Sequence, residues 1–317
     1  MKNDPKIELA GDGAMMAKGG GSQGLALILL FAGAVTLGLS PILVRLSELG
    51  PTATAFHRVF LALPLLWLWI ALDHKRAATS SDQLKTPRRV PARRDYAFMA
   101  LAGFFFAGDL AFWHWSLQFT AVANATLLAT MAPVWVTLGS FLLFGERFSL
   151  TFLSGVAVAV FGAVVLMGGS VQIGMERVFG DVLGLVTGIF FGAYMLTVGR
   201  LRAHFSTSAI MFYSTLVTVV ILIPVTLLSG EGWLAMSLTG WLVLFGLAWV
   251  THVGGQGAIA YALAHLPAAF SSVAMLLEAI AAVFLAWVIL GEALDIWQIA
   301  GAGIVIGGIF IARRGSR

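Results

Sequence analysis

Cysteine is absent from the 317 residues, which excludes disulfides, thiolate metal sites and cysteine nucleophiles. Charge is also scarce. Asp, Glu, Lys and Arg make up 11% of the chain and apolar residues 59%, against about 25% and 45–50% in soluble domains. A soluble chain this apolar could not cover its surface with polar groups, so lipid is its natural solvent. The sequence has no His-Glu-x-x-His, no Asp-rich pair and no Gly-rich run between a strand and a helix. The usual grounds for a zinc site, an intramembrane lipid or prenyl enzyme, or a nucleotide site are therefore missing. Repeated charged rings, which would suggest a channel, are missing too. The sequence calls for no metal, no cofactor and no catalytic residue.

What it does contain is long apolar runs. About 20 apolar residues cross a hydrocarbon core as a helix, and ten stretches qualify: 25–46, 53–73, 96–118, 122–144, 150–169, 180–199, 207–229, 238–263, 267–290 and 295–313. The fold class expected is an all-α membrane protein of ten transmembrane helices. Seven of the 19 Lys and Arg lie between Lys75 and Arg94. With both termini inside, 16 of the 19 fall on the inner side, the exceptions being Arg45, Arg58 and Arg177. The positive-inside rule thus sets the orientation N-in and C-in. It also accounts for the net charge of +4 without nucleic acid. Residues 1–23 are polar and Gly-rich and no apolar run begins before residue 24, so a disordered cytoplasmic tail and a retained first helix are expected.

The chain repeats itself. Leu143-Phe144-Gly145-Glu146 ends one helix and Ile289-Leu290-Gly291-Glu292 ends another 146 residues on, and the same offset places Gly155 on Gly301 and Gly162 on Gly308. The front parts align at an offset of 155, pairing Gly33 with Gly188 and Arg45 with Arg200. Five helices per copy is an odd number, so the second copy enters the membrane from the opposite side. Inverted repeats of this kind underlie many secondary transporters. The two copies are 24–173 and 174–317. The glycine pairs mark close helix contacts.

Gly145-Glu146-Arg147-Phe148 following a helix with Ala132-Pro133, Leu277-Glu278-Ala279 followed by Gly291-Glu292, and Arg58 early in the second helix together resemble the EamA-type drug/metabolite transporter superfamily. The resemblance covers nearly all the chain beyond residue 24. It implies ten helices in two inverted five-helix halves and a small-metabolite cargo, with amino-acid export the best single reading. The family often has Leu-Glu-Pro where this chain has Ala279. A proline-induced break is therefore expected at Pro133 but not in the ninth helix.

An ionisable side chain at mid-membrane is costly and invites a functional reading. Asp109 and Glu278 are the two such acids, read as amine recognition or proton coupling. The competing reading is an ion pair fixing helix packing, with Arg58 as the partner of Asp109. His252 and Gln256 lie one turn apart and would share a face of helix 8. Trp113 shares a stripe with Asp109, Phe105 and Phe112, an aromatic setting suited to a cation. Ser40, Asn124, Ser271, Ser272 and Thr130 are candidate cavity residues, or small residues allowing close packing. Arg58, Pro133, Glu146 and Glu292 are read as structural. The function expected is a carrier in the bacterial inner membrane, working by alternating access on a small molecule, with protons as a candidate second ligand. A monomer is compatible with everything in the sequence.

Overall fold

The computed structural model describes residues 11–79, 92–120, 122–168, 174–291 and 293–316. Among these residues the protein is helical with no strand, and ten helices are long and apolar enough to cross a membrane. We number them as spans 1 to 10: Ser22–Arg45, Pro51–Arg76, Arg93–Phe119, Asn124–Phe144, Leu150–Met167, Val178–Arg202, Thr207–Ser229, Leu238–Ala262, Ala268–Leu290 and Ile296–Gly315. Each expected stretch has its span, with ends shifted by a few residues. Large apolar side chains such as Trp67, Leu142, Val220, Leu242 and Phe310 are exposed on the outside. This is the surface expected of a body solvated by lipid. The first helix begins at Gly11, so the expected disordered tail is helical from there, and residues 1–10 lie outside the described residues. Ala14, Met15, Met16 and Ala17 are good helix formers, which extends the helix past the apolar run.

Four spans are interrupted. Span 1 breaks at Gly38–Leu39, span 2 at Leu61–Ala62, span 4 at Thr130–Met131 and span 9 at Met275–Leu276. In the first three the helix resumes with a proline in its first turn: Pro41, Pro64 and Pro133. Proline has no N–H to donate back but suits the start of a new helical segment. The break in span 9 corrects the expectation drawn from Ala279, because it forms with no proline present. There the backbone tightens instead, with Leu276 donating to Val273 O (3.1 Å), Glu278 to Met275 O (2.9 Å) and Ala279 to Leu276 O (3.2 Å). Span 1 presses on the same place: a Cβ added at Gly38 would lie 2.6 Å from Ala281 Cβ and 2.9 Å from Glu278 O. Packing against a neighbouring span accompanies this break, not a missing donor. Span 8 is π-helical over Gly246–Gln256.

Spans 5 and 10 pack through small residues. A Cβ on Gly155 would lie 2.6 Å from Ala312 Cα, on Gly162 2.5 Å from Val305 N, on Gly301 2.5 Å from Leu166 Cα and on Gly308 2.6 Å from Ala159 Cα. As numbers rise in one helix they fall in the other, so the pair is antiparallel. The expected close contacts are present. Gly145 and Gly291 adopt left-handed φ of 67° and 69° at the ends of spans 4 and 9, which explains the glycine of each Gly-Glu pair. Glu146 is exposed and its N–H donates to Ser140 O (3.2 Å); Glu292 lies outside the described residues.

At the end where spans 1–2 and 7–8 are joined, two carboxylates cap helices of the opposite half. Glu231 accepts from Ala53 N (2.8 Å) and Thr52 N (3.3 Å) at the start of span 2. Glu48 accepts from Met236 N (2.8 Å), Ser237 N (3.2 Å) and the Ser237 hydroxyl at the start of span 8. The Ser237 hydroxyl and the Met236 N–H hold the Glu48 carboxyl below the usual glutamate range. The stabilisation from Glu48 is therefore complete above the ordinary glutamate value of about 4.3 and is lost as pH falls through the lowered one. The expected result is a melting temperature that drops in acid below that range for the wild type and drops less for Glu48→Gln. Glu231→Ala is expected to cost about 1 kcal/mol at neutral pH, the scale of a lost helix cap.

Candidate functional site

The breaks in spans 1, 4 and 9 converge on one cavity with ≈ 90 Å³ of water-accessible space, enough for several waters or a small solute. Non-helical backbone is tolerated at membrane depth where it lines such a cavity. Its walls come from Ser40 and Pro41 of span 1, Arg58 of span 2, Phe106, Asp109 and Trp113 of span 3, and Thr126, Thr130 and Pro133 of span 4. Span 6 contributes Thr187 and Phe191, span 8 Gln256, and span 9 Ser272, Met275 and Glu278. Residues from both parts of the chain thus build it.

Three charges dominate the cavity. Arg58 is 5% exposed and interacts electrostatically with both Asp109 and Glu278, while the two carboxylates also act on each other. Glu278 sits in the first turn of the segment Leu277–Leu290 created by the break, where the positive end of the helix dipole faces a carboxylate. The break therefore turns a mid-span acid into a helix-terminal one. With all three groups charged, the site carries one net negative charge.

Hydrogen-bonding capacity is left over. Among the described residues Arg58 Nε, Ser40 Oγ, Thr126 Oγ1 and Gln256 Nε2 have no hydrogen-bond partner, and all four side chains line the cavity. A buried polar group left unpaired costs about 1–3 kcal/mol, so four in one place ask for an explanation beyond packing.

Of the residues expected at the site, Asp109, Glu278, Gln256, Trp113 and Ser40 come together here, with Thr130 and Ser272 beside them. His252, Asn124 and Ser271 do not line it. His252 Nε2 meets Thr215 Oγ1 of span 7 at 2.9 Å and its ring lies against Phe106. Gln256, four residues on in the same π-helical segment, reaches the cavity while His252 packs between spans 3 and 7. Asn124 donates to Asp181 Oδ1 (3.0 Å), as does Thr120 (2.6 Å), tying spans 3, 4 and 6 at one end. Ser271 is fully buried one residue before the cavity-lining Ser272. Phe105 and Phe112 pack on Phe190 of span 6, and Phe106 takes the place on the cavity wall expected for them.

Arg58, Thr126 and Thr187 are polar cavity groups that sequence reasoning put elsewhere or passed over. Arg58 was expected as a structural partner of Asp109 alone, and its place within an apolar run was the signal that it could face an interior cavity. Thr126 carries no signal above the many small polar residues of the spans. Among the described residues no group of three or more His, Asp or Glu is disposed to hold a metal ion.

The model of the EamA-like transporter family matches residues 24–168 and 178–314. An "Uncharacterized transporter" of Archaeoglobus fulgidus is 28% identical over 59% of this chain and 61% of its own length. The chain thus spans less than two thirds of that relative. The "Probable terminal-alkyne amino-acid exporter" of Streptantibioticus cattleyicolor is 27% identical over 71% of this chain and 76% of its length. The "Pseudopaline exporter CntI" of Pseudomonas aeruginosa is 24% identical over 68% and 74%. A solved crystal structure superposes with a TM-score of 0.75 at 18% identity, covering 92% of this chain and 98% of the other. At that identity the likeness is one of fold.

Proposed function

Because the chain belongs to the EamA-like transporter family and is a multi-pass membrane transporter, we propose that it exports amino acids or closely similar metabolites across the bacterial inner membrane through this cavity. One observation carries the reading: a guanidinium and two carboxylates, with unpaired polar groups, line a cavity built by spans from both parts of the chain. Export comes from the names of the Streptantibioticus and Pseudomonas relatives, and an amino-acid cargo from that of the first. Asp109 and Glu278 are also the candidate groups for proton coupling.

The mechanism proposed is alternating access by two inverted halves, with both termini in the cytoplasm. The contacts of spans 5 and 10 support the inverted repeat. Moving one partner up by 146 and the other down by 146 carries Gly155–Ala312 onto Gly301–Leu166, and Gly162–Val305 onto Gly308–Ala159. The breaks in spans 4 and 9 lie 145 residues apart, one residue from the same offset. Such self-exchange is what a two-fold axis in the membrane plane produces. Lys and Arg placement supports the orientation. In this reading the capped end of Glu48 and Glu231 faces outward, and opening there requires both caps to part.

Counterflow in proteoliposomes tests the proposal. Vesicles loaded with unlabelled amino acid are expected to accumulate the labelled form transiently, with a rate that saturates. Linear uptake equal to that of empty vesicles, across a panel of amino acids of each charge type, would overturn it.

A further inference from the structure

The charges of the cavity are unequal in number and unlike in setting. Arg58 comes from span 2 and is the one cation among the described residues of the site; Asp109 and Glu278 come from spans 3 and 9. A structural counter-ion for one acid would have its donors taken up by that acid. Arg58 Nε instead has no hydrogen-bond partner among the described residues, although the side chain is buried and acts on both carboxylates. Asp109 and Glu278 are each only partly buried. A guanidinium with a free N–H beside unpaired hydroxyls at Ser40 and Thr126 suits a planar anion such as a carboxylate. Two carboxylates in a cavity that the aromatic Trp113 also lines suit an ammonium group.

We propose that Arg58 is the carboxylate pole of a two-pole cargo site whose ammonium pole is the pair Asp109 and Glu278, so that the cavity selects amino-carboxylates and rejects dicarboxylates. When both acids are ionised the empty set of charges sums to minus one, and cargo with one more ammonium group than carboxylates neutralises it best. Diamino monocarboxylates are thus preferred to neutral amino acids, and those to acidic ones. Leaving a buried charge unpaired is far more costly than leaving a neutral group so, and this sets the order. The inference rests on the reading of this cavity as the transport site and adds a rule for its cargo.

The test is equilibrium binding to the purified full-length protein in lipid nanodiscs, with four probes: lysine, lysine methyl ester, cadaverine and glutarate. Lysine is expected to bind best. The ester and cadaverine, which lack the carboxylate, are expected to bind roughly tenfold or more weakly, the scale of one charge-assisted contact, and glutarate not to compete. In Arg58→Gln the advantage of lysine over cadaverine should collapse to near unity. The probe series on the wild type needs no variant, so it stands even if Arg58→Gln does not fold. Equal binding of lysine and cadaverine, or binding of glutarate, overturns the two-pole site. If amino-acid counterflow is nevertheless seen, the transport reading survives and only the cargo rule falls. If no probe binds and no counterflow is seen, the cavity itself is misread and both fall.

Discussion

Asp109→Asn is expected to reduce solute flux roughly tenfold to a hundredfold while leaving membrane insertion and yield unchanged. Asparagine keeps the shape of the side chain and removes only its charge. A hydrogen bond to a charged group is worth about 1.5–3 kcal/mol, and each 1.4 kcal/mol is about a factor of ten. The carboxylate is partly exposed to a cavity that also holds Arg58 and Glu278, so the loss falls on cargo contact and not on the packing of span 3. Initial rates in proteoliposomes, normalised to protein incorporated, measure it. Wild-type rates in the variant would remove Asp109 from the site.

The second large effect is on the scaffold. Gly308→Leu would drive a side chain into the backbone of span 5, since even a Cβ there lies 2.6 Å from Ala159 Cα. Backbone cannot swing aside as a flexible side chain can, so spans 5 and 10 must separate. Overpacking of this kind costs about 1–3 kcal/mol and sometimes more. The adjacent Gly307→Leu is the control. A Cβ on Gly307 meets nothing within 4 Å, and leucine favours a helix over glycine by about 1 kcal/mol or less. Thermal melting of the two variants in one lipid composition should show a marked drop for Gly308→Leu and none for Gly307→Leu. Equal stabilities would mean that the small-residue stripe does not hold the two spans together.

Much of this architecture is legible in the residues because the membrane imposes one strong requirement. Every span must satisfy its own backbone and present apolar side chains, so ten apolar runs become ten helices. Gly155, Gly162, Gly301 and Gly308 could be read as contacts because lipid gives helices little other reason for small residues. The break in span 9 was not legible, since no proline marks it and the tightened turn at Met275–Leu276 lies against Gly38 of a distant span. The cavity was half legible. Asp109 and Glu278 stand out as charges inside apolar runs, whatever faces them. Which neutral polar residues join them depends on helix rotation and on what packs against each: in span 8 His252 meets Thr215 of span 7 while Gln256 lines the cavity. Arg58 was visible as a charge near Asp109, but its part in a site with two acids required the third partner from span 9.

The absence of cysteine offers the most direct test of the central claim, that this cavity carries the cargo and opens to each side in turn. A single cysteine at Thr130, on the cavity wall and only partly buried, would be the only thiol in the chain. Membrane-impermeant thiol reagents applied to right-side-out and to inside-out vesicles then report access from each face, with and without a transported amino acid. The expected result is labelling from both faces, slowed by the amino acid. Labelling from one face only, or labelling that the amino acid leaves unchanged, would contradict the account.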